Sequence, residues 1–146
     1  MNKHTPTDIN YEKRIKAGFE KQPIMKLLNA TLLKIAPGVV SIELPFNKTL
    51  TLPHGFIHAG IITTIIDNAC GFAAYTLIPA NSEVLAVEFK INFISPAVGE
   101  KFIANGKVLK SGKIISVCSG EVTAIQNGQE KVVAAMQTTM ICTGKK

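Results

Sequence analysis

The chain has 146 residues, a normal length for one domain and long enough to build a real core. Hydrophobic residues make up 47% and charged residues 18%, which excludes a disordered chain. Three cysteines without a CxxC pair (Cys70, Cys118 and Cys142) argue against a disulfide framework or zinc knuckle and for reduced thiols in the cytoplasm. The net charge of +6 favours anionic partners, and on charge alone a small polyanion such as a phosphorylated cofactor fits as well as nucleic acid. Scattered lysines, only two tyrosines and no tryptophan argue against nucleic acid.

The first residues, Met1-Asn2-Lys3-His4-Thr5, are polar with no apolar stretch behind them, which argues against secretion. Residues 7–21 predict a helix with Ile15 and Phe19 at helical spacing and Pro23 as its stop. Residues 28–36 and 39–44 predict two strands around a Pro37-Gly38 turn. In the second, Val40, Ile42 and Leu44 alternate with Ser41 and Glu43. Residues 45–53 read as a loop.

Asp67 is the only charge in residues 60–80, so this stretch could be mistaken for a membrane span. An aspartate at a bilayer centre costs about 2.5–3.5 kcal/mol, and Asn68, Gly71, Pro79 and four hydroxyls add to the penalty. The expectation is a buried core helix over residues 60–77, despite the β-branched run at residues 61–66. Beyond Pro79 the pattern becomes period two: Val87, Phe89, Ile91 and Phe93 alternate with polar residues. Strands then follow at 102–109, 114–125 and 131–142, with a hairpin turn at Asn127-Gly128. The expectation is one α+β domain spanning 1–146, with an antiparallel sheet.

An aspartate among Ile65, Ile66, Ala69 and Phe72 is expensive unless it is partnered or protonated. Asp67 therefore either caps a buried group or pairs with a sheet lysine, or it is a general base or nucleophile tuned by burial. Ala59, Gly60 and Ile61 open the same helix with free N–H groups, which can hold a developing oxyanion. Asp67 lies seven residues beyond Gly60, about 10 Å along a helix. One helix cannot serve one carbonyl with both, so the catalytic reading predicts a homodimer that pairs one chain's amides with the other chain's Asp67.

His58-Ala59-Gly60, six residues, then Asp67 and Asn68-Ala69-Cys70-Gly71-Phe72-Ala73-Ala74 resemble the His-Gly-Gly…Asp motif of the PaaI-like thioesterases. Residues 87–97, with Gly99, resemble that family's third strand and the turn after it, and the similarity runs over about 28–142. The resemblance implies the hotdog fold: a long central helix wrapped by a five- to six-stranded antiparallel sheet, here with an extra N-terminal helix. It also implies acyl-CoA thioester hydrolysis without a cofactor, by a homodimer or a dimer of dimers.

By the same resemblance, Asp67 is the catalytic carboxylate and Ala59 carries the oxyanion amide in place of the usual glycine. Gly60, Thr64 and Asn68 line the substrate site with His54 and His58. The family's upstream glutamine or asparagine is missing, because Leu52, Pro53 and His54 stand there. Either His54 or Asn68 substitutes for it, or turnover is slow, or the protein is a non-catalytic acyl-CoA or lipid binder. A hotdog dehydratase is a weaker reading, since His58 lacks the context of a catalytic histidine.

His54 and His58, four apart, lack a third metal ligand, so no metal is expected, and His58 reads as a hydrogen-bonder that fixes the loop. Cys70 reads as an inert buried thiol. Thr63 and Thr64 either hold the reacting water or bond back to the helix. Lys90, Lys110 and Lys113 are candidates for CoA phosphates.

Overall fold

The computed structural model describes residues 4–144. Helix α1 (Tyr11–Glu20) and the short α2 (Pro23–Leu27) lead into β1 (Thr31–Ala36) and β2 (Val39–Pro45). The long helix α3 (Ala59–Tyr75) follows, then β3 (Ser82–Phe93), β4 (Lys101–Ser111), β5 (Ile115–Gln126) and β6 (Gln129–Gly144). The six strands form one antiparallel sheet in the order β1-β2-β4-β5-β6-β3, against which α3 packs. This is the α+β hotdog architecture, with six strands.

Small residues let the helix sit on the sheet. Gly106 on β4 pairs directly with Gly120 on β5. A β carbon on Gly106 would lie 2.3 Å from the carbonyl carbon of Ala69, and one on Gly120 would lie 2.8 Å from Cys70 Sγ. Larger inward residues surround this depression: Ile42 and Leu44 on β2, Phe102 and Val108 on β4, Val122 on β5 and Met140 on β6. With Ile62, Ile65 and Ile66 of α3 they close the core.

Helix α1 adds Ile15 and Phe19 to that core, Phe19 packing against Phe72 at 6.0 Å between ring centroids. Arg14 donates to the carbonyls of Tyr75, Ile78 and Pro79 at 3.0, 2.9 and 2.7 Å, and its guanidinium lies 4.4 Å from the Tyr75 ring. A cation thus satisfies the carbonyl end of α3, where the helix dipole is negative.

Three boundaries differ from the sequence reading by three residues or more. Residues 7–10 are not helical: Asp8 Oδ1 accepts from the Asn10 N–H at 2.9 Å, a local turn that competes with helix. Pro23 does end the first helix, but it also starts a second one from its first position, so β1 begins at Thr31 rather than Leu28. β3 starts at Ser82, five residues before the alternation becomes visible. A bulge between Ala86 and Glu88 shifts the phase there and hides the first part of the strand. The turn at Asn127-Gly128 has φ of 50° and 73°, as a two-residue hairpin loop requires. Among the described residues no helix is long and apolar enough to cross a membrane.

Candidate active site

Asp67 sits mid-way along α3, on the side turned towards α1 and the start of β3. Its Oδ1 is buried and has no hydrogen-bond partner, and Asp67 belongs to none of the ion pairs among the described residues. Neither a backbone cap nor a sheet lysine occupies that oxygen, so the structural explanations for a buried acid leave it unaccounted for. Burial raises its pKa above the ordinary carboxylate value. The side chain lines a cavity of about 350 Å³ together with Gln22, Asn68, Tyr75, Glu83 and Met140.

Asn68 lines the same cavity and donates from Nδ2 to Gln22 Oε1 at 2.6 Å. The sequence reading missed Gln22. It lies 46 positions away, between α1 and α2, and no spacing rule links it to α3.

The helix start is arranged differently from the expectation of three free amides. His58 is the N-cap, and its Nδ1 accepts the Gly60 N–H at 2.8 Å. Its carbonyl accepts from Ile61 and Ile62. Only the Ala59 N–H is left without an acceptor among the described residues. Gly60 gives this cap room: a β carbon there would lie 3.1 Å from His58 Nδ1, and the ring would have to give by a few tenths of an ångström.

Ala59 lines a second cavity of about 350 Å³, walled by Leu52, Phe56, Ile57, Ile62, Phe93 and Ile94 among others. No residue lines both this cavity and that of Asp67. Eight residues of helix, about 12 Å, separate the two functional positions.

Thr63 and Thr64 bond back to the carbonyls of Ala59 and Gly60, each at 2.8 Å. His54 is exposed, stacks on Phe56 at 5.9 Å and lines neither cavity. Lys90, Lys110 and Lys113 are exposed and also line neither cavity. Among the described residues no cluster of three metal-ligating side chains occurs.

The family model described as Thioesterase superfamily matches residues 54–131, which span the helix cap, Asp67 and β3 to β5. The chain belongs to the thioesterase superfamily. A crystal structure of a thioesterase family protein from Silicibacter pomeroyi superposes on this thioesterase with a TM-score of 0.91. The two are 38% identical, over 92% of this chain and 99% of that one. Human acyl-coenzyme A thioesterase 13 is 30% identical over 100 residues, which cover 68% of this chain and 71% of that protein.

The E. coli PaaI protein has the same fold, with a TM-score of 0.84 at 20% identity over 94% of this chain and 96% of its own. The thioesterase thus shares the hotdog fold of the PaaI protein, and its superfamily makes thioester hydrolysis its reaction class.

Proposed function

We propose that this thioesterase hydrolyses acyl-CoA to a free acid and CoA, with Asp67 as the catalytic carboxylate. The observation that carries the reading is the buried Oδ1 of Asp67, which has no hydrogen-bond partner among the described residues, on a side chain that lines a cavity. As general base, Asp67 takes a proton from water while the water oxygen bonds to the thioester carbon. The carbonyl electron pair moves to oxygen, held by the Ala59 N–H. Collapse of that intermediate breaks the C–S bond, and the CoA thiolate leaves and takes up a proton. As nucleophile, an Asp67 oxygen instead bonds to the carbonyl carbon, the C–S bond breaks and the CoA thiolate leaves with a proton from solvent; water then cleaves the mixed anhydride, releasing the free acid and restoring the Asp67 carboxylate.

The oxyanion amide and Asp67 act on one carbonyl only if they come from different subunits. Two observations support a homodimer with shared sites. The two cavities have no lining residue in common. β3 is an edge strand of twelve residues, paired with β6 on one side and with no strand on the other among the described residues, and it exposes Leu85, Val87, Phe89 and Phe93. Edge strands this long and apolar are normally covered, and a second copy of β3 would cover this one. The acyl chain then runs along the apolar wall around Ala59 and Phe93.

The substrate class is supported by the human relative, which is an acyl-coenzyme A thioesterase by name. The test is CoA release from a panel of acyl-CoAs by the wild-type protein and by Asp67→Asn. Release by the wild type with loss in the variant supports the reading. Wild-type kcat/KM in Asp67→Asn refutes the role of Asp67, and saturable binding with no release makes the protein a non-catalytic binder.

A further inference from the structure

We propose that Gln22, on the turn between α1 and α2, supplies the site with the carboxamide donor that the positions before His58 lack, orienting the attacking water at Asp67. The inference rests on the acyl-CoA hydrolase reading and extends its site to the N-terminal helices.

Three observations support it. First, Gln22 and Asn68 both line the Asp67 cavity, and their side chains are joined at 2.6 Å. In that bond Gln22 Oε1 is the acceptor, so its NH₂ group keeps two donors in the lining of the cavity that also holds Asp67, whose Oδ1 lacks a partner among the described residues. A water bound between an amide donor and a carboxylate acceptor is the species a general base needs.

Second, Gln22 is held from both sides. Its N–H donates to the Phe19 carbonyl at 3.1 Å, and Pro23 starts α2 immediately after it. α1 is itself locked to α3 by Arg14 and by the contact of Phe19 with Phe72. Such fixed placement is what an orienting group requires. Third, the side chains of Leu52 and Pro53 donate nothing and His54 lines neither cavity, so none of these three residues offers a side-chain donor to the Asp67 cavity.

A purely structural role for Gln22 would be a clamp between α1–α2 and α3 through the Asn68 bond. Gln22→Glu separates the two roles, because it keeps the acceptor for Asn68 and removes both donors. Gln22→Met removes acceptor and donors at similar volume.

We expect kcat to fall about 10- to 100-fold in both variants, with KM changed less than threefold, as for loss of a hydrogen bond to a charged or reacting group. In Gln22→Glu the acid limb of kcat should also move to higher pH. The added carboxylate would line the Asp67 cavity, which Glu83 of β3 and Tyr75 of α3 also line, while the Cys70 thiol on α3 is kept protonated by burial and Arg14 on α1 is turned to the helix end.

Wild-type kcat and an unmoved acid limb in Gln22→Glu overturn the proposal, even if Gln22→Met unfolds, since the clamp alone then explains Gln22. If the wild type releases CoA and Asp67→Asn does not, but Gln22→Glu equals the wild type, this inference fails and the hydrolase reading stands. If the wild type releases no CoA, the hydrolase reading itself fails.

Discussion

Gly106 lies directly beneath the Ala69 carbonyl, so close that a β carbon would sit 2.3 Å from its carbon atom. That contact sets the depth of α3 on the sheet two residues beyond Asp67, and Gly120 beside it does the same under Cys70. The obstruction is backbone, so it cannot be relieved by rotating a side chain.

Gly106→Ala should therefore destabilise the protein by about 3 kcal/mol or more, the upper end of overpacking costs. Gly128, in the β5–β6 turn, has φ of +73° and open space around it. Gly128→Ala should cost only about 1 kcal/mol from backbone strain. Urea unfolding of the two variants measures the contrast. Equal losses would mean that the helix rests on something other than the glycine pair.

Asp67 should make stability fall as pH rises. Its pKa is raised by burial above the unfolded value of 3.8, so the folded protein binds the proton more tightly than the unfolded chain. This contribution favours folding below pH 3.8 and is lost as pH rises through the folded-state pKa. Asp67→Asn should remove that pH dependence, and at neutral pH it should be at least as stable as the wild type. Thermal melts across pH 3–8 test both statements, and a less stable variant at neutral pH would point to a hidden partner for the carboxylate.

The same substitution should lower kcat/KM by about 10²- to 10⁴-fold, the usual span for loss of a general base. The wild-type rate should fall on the acid side as Asp67 takes up its proton, at a pH above the ordinary carboxylate range. An acid limb near pH 3.8 would mean that the working carboxylate is not this one.

Phe89 on the open edge of β3 is exposed, and the dimer proposed above would cover it. Phe89→Glu should shift the protein from dimer to monomer in sedimentation velocity. Activity should be lost with it, because the Ala59 amide and Asp67 would no longer meet. A monomeric variant with full activity would refute the shared site.

Burial pushes the Cys118 thiol up to about 12 and raises Cys70 as well, so neither is a thiolate at neutral pH. Iodoacetamide at pH 8 should add at most one group to the native protein, at Cys142, and three after denaturation. Intact mass spectrometry reads this directly, and native labelling of Cys70 would show that α3 lifts from the sheet.

Much of this molecule was legible from local pattern. Alternation in β2, the Asn127-Gly128 pair and the polarity of Asp67 within an apolar helix each follow from neighbours a few residues apart. The His58-to-Asp67 spacing is of the same kind, since a helix converts sequence distance into length along one axis. These signals determined the α+β class, the long buried helix and the position of the carboxylate.

Other features were not written locally. The phase change at the Ala86–Glu88 bulge hid the start of β3, and the second helix at Pro23 displaced the start of β1. The cap made by His58 took the Gly60 amide out of the candidate site and left Ala59 as the free donor. Gln22 reaches Asn68 across 46 positions, a distance over which no periodicity carries information. The sequence alone determined that a costly acid sits in the central helix. Only the tertiary structure decided which groups surround it, because that depends on how α1, α2 and β3 close over α3 in space.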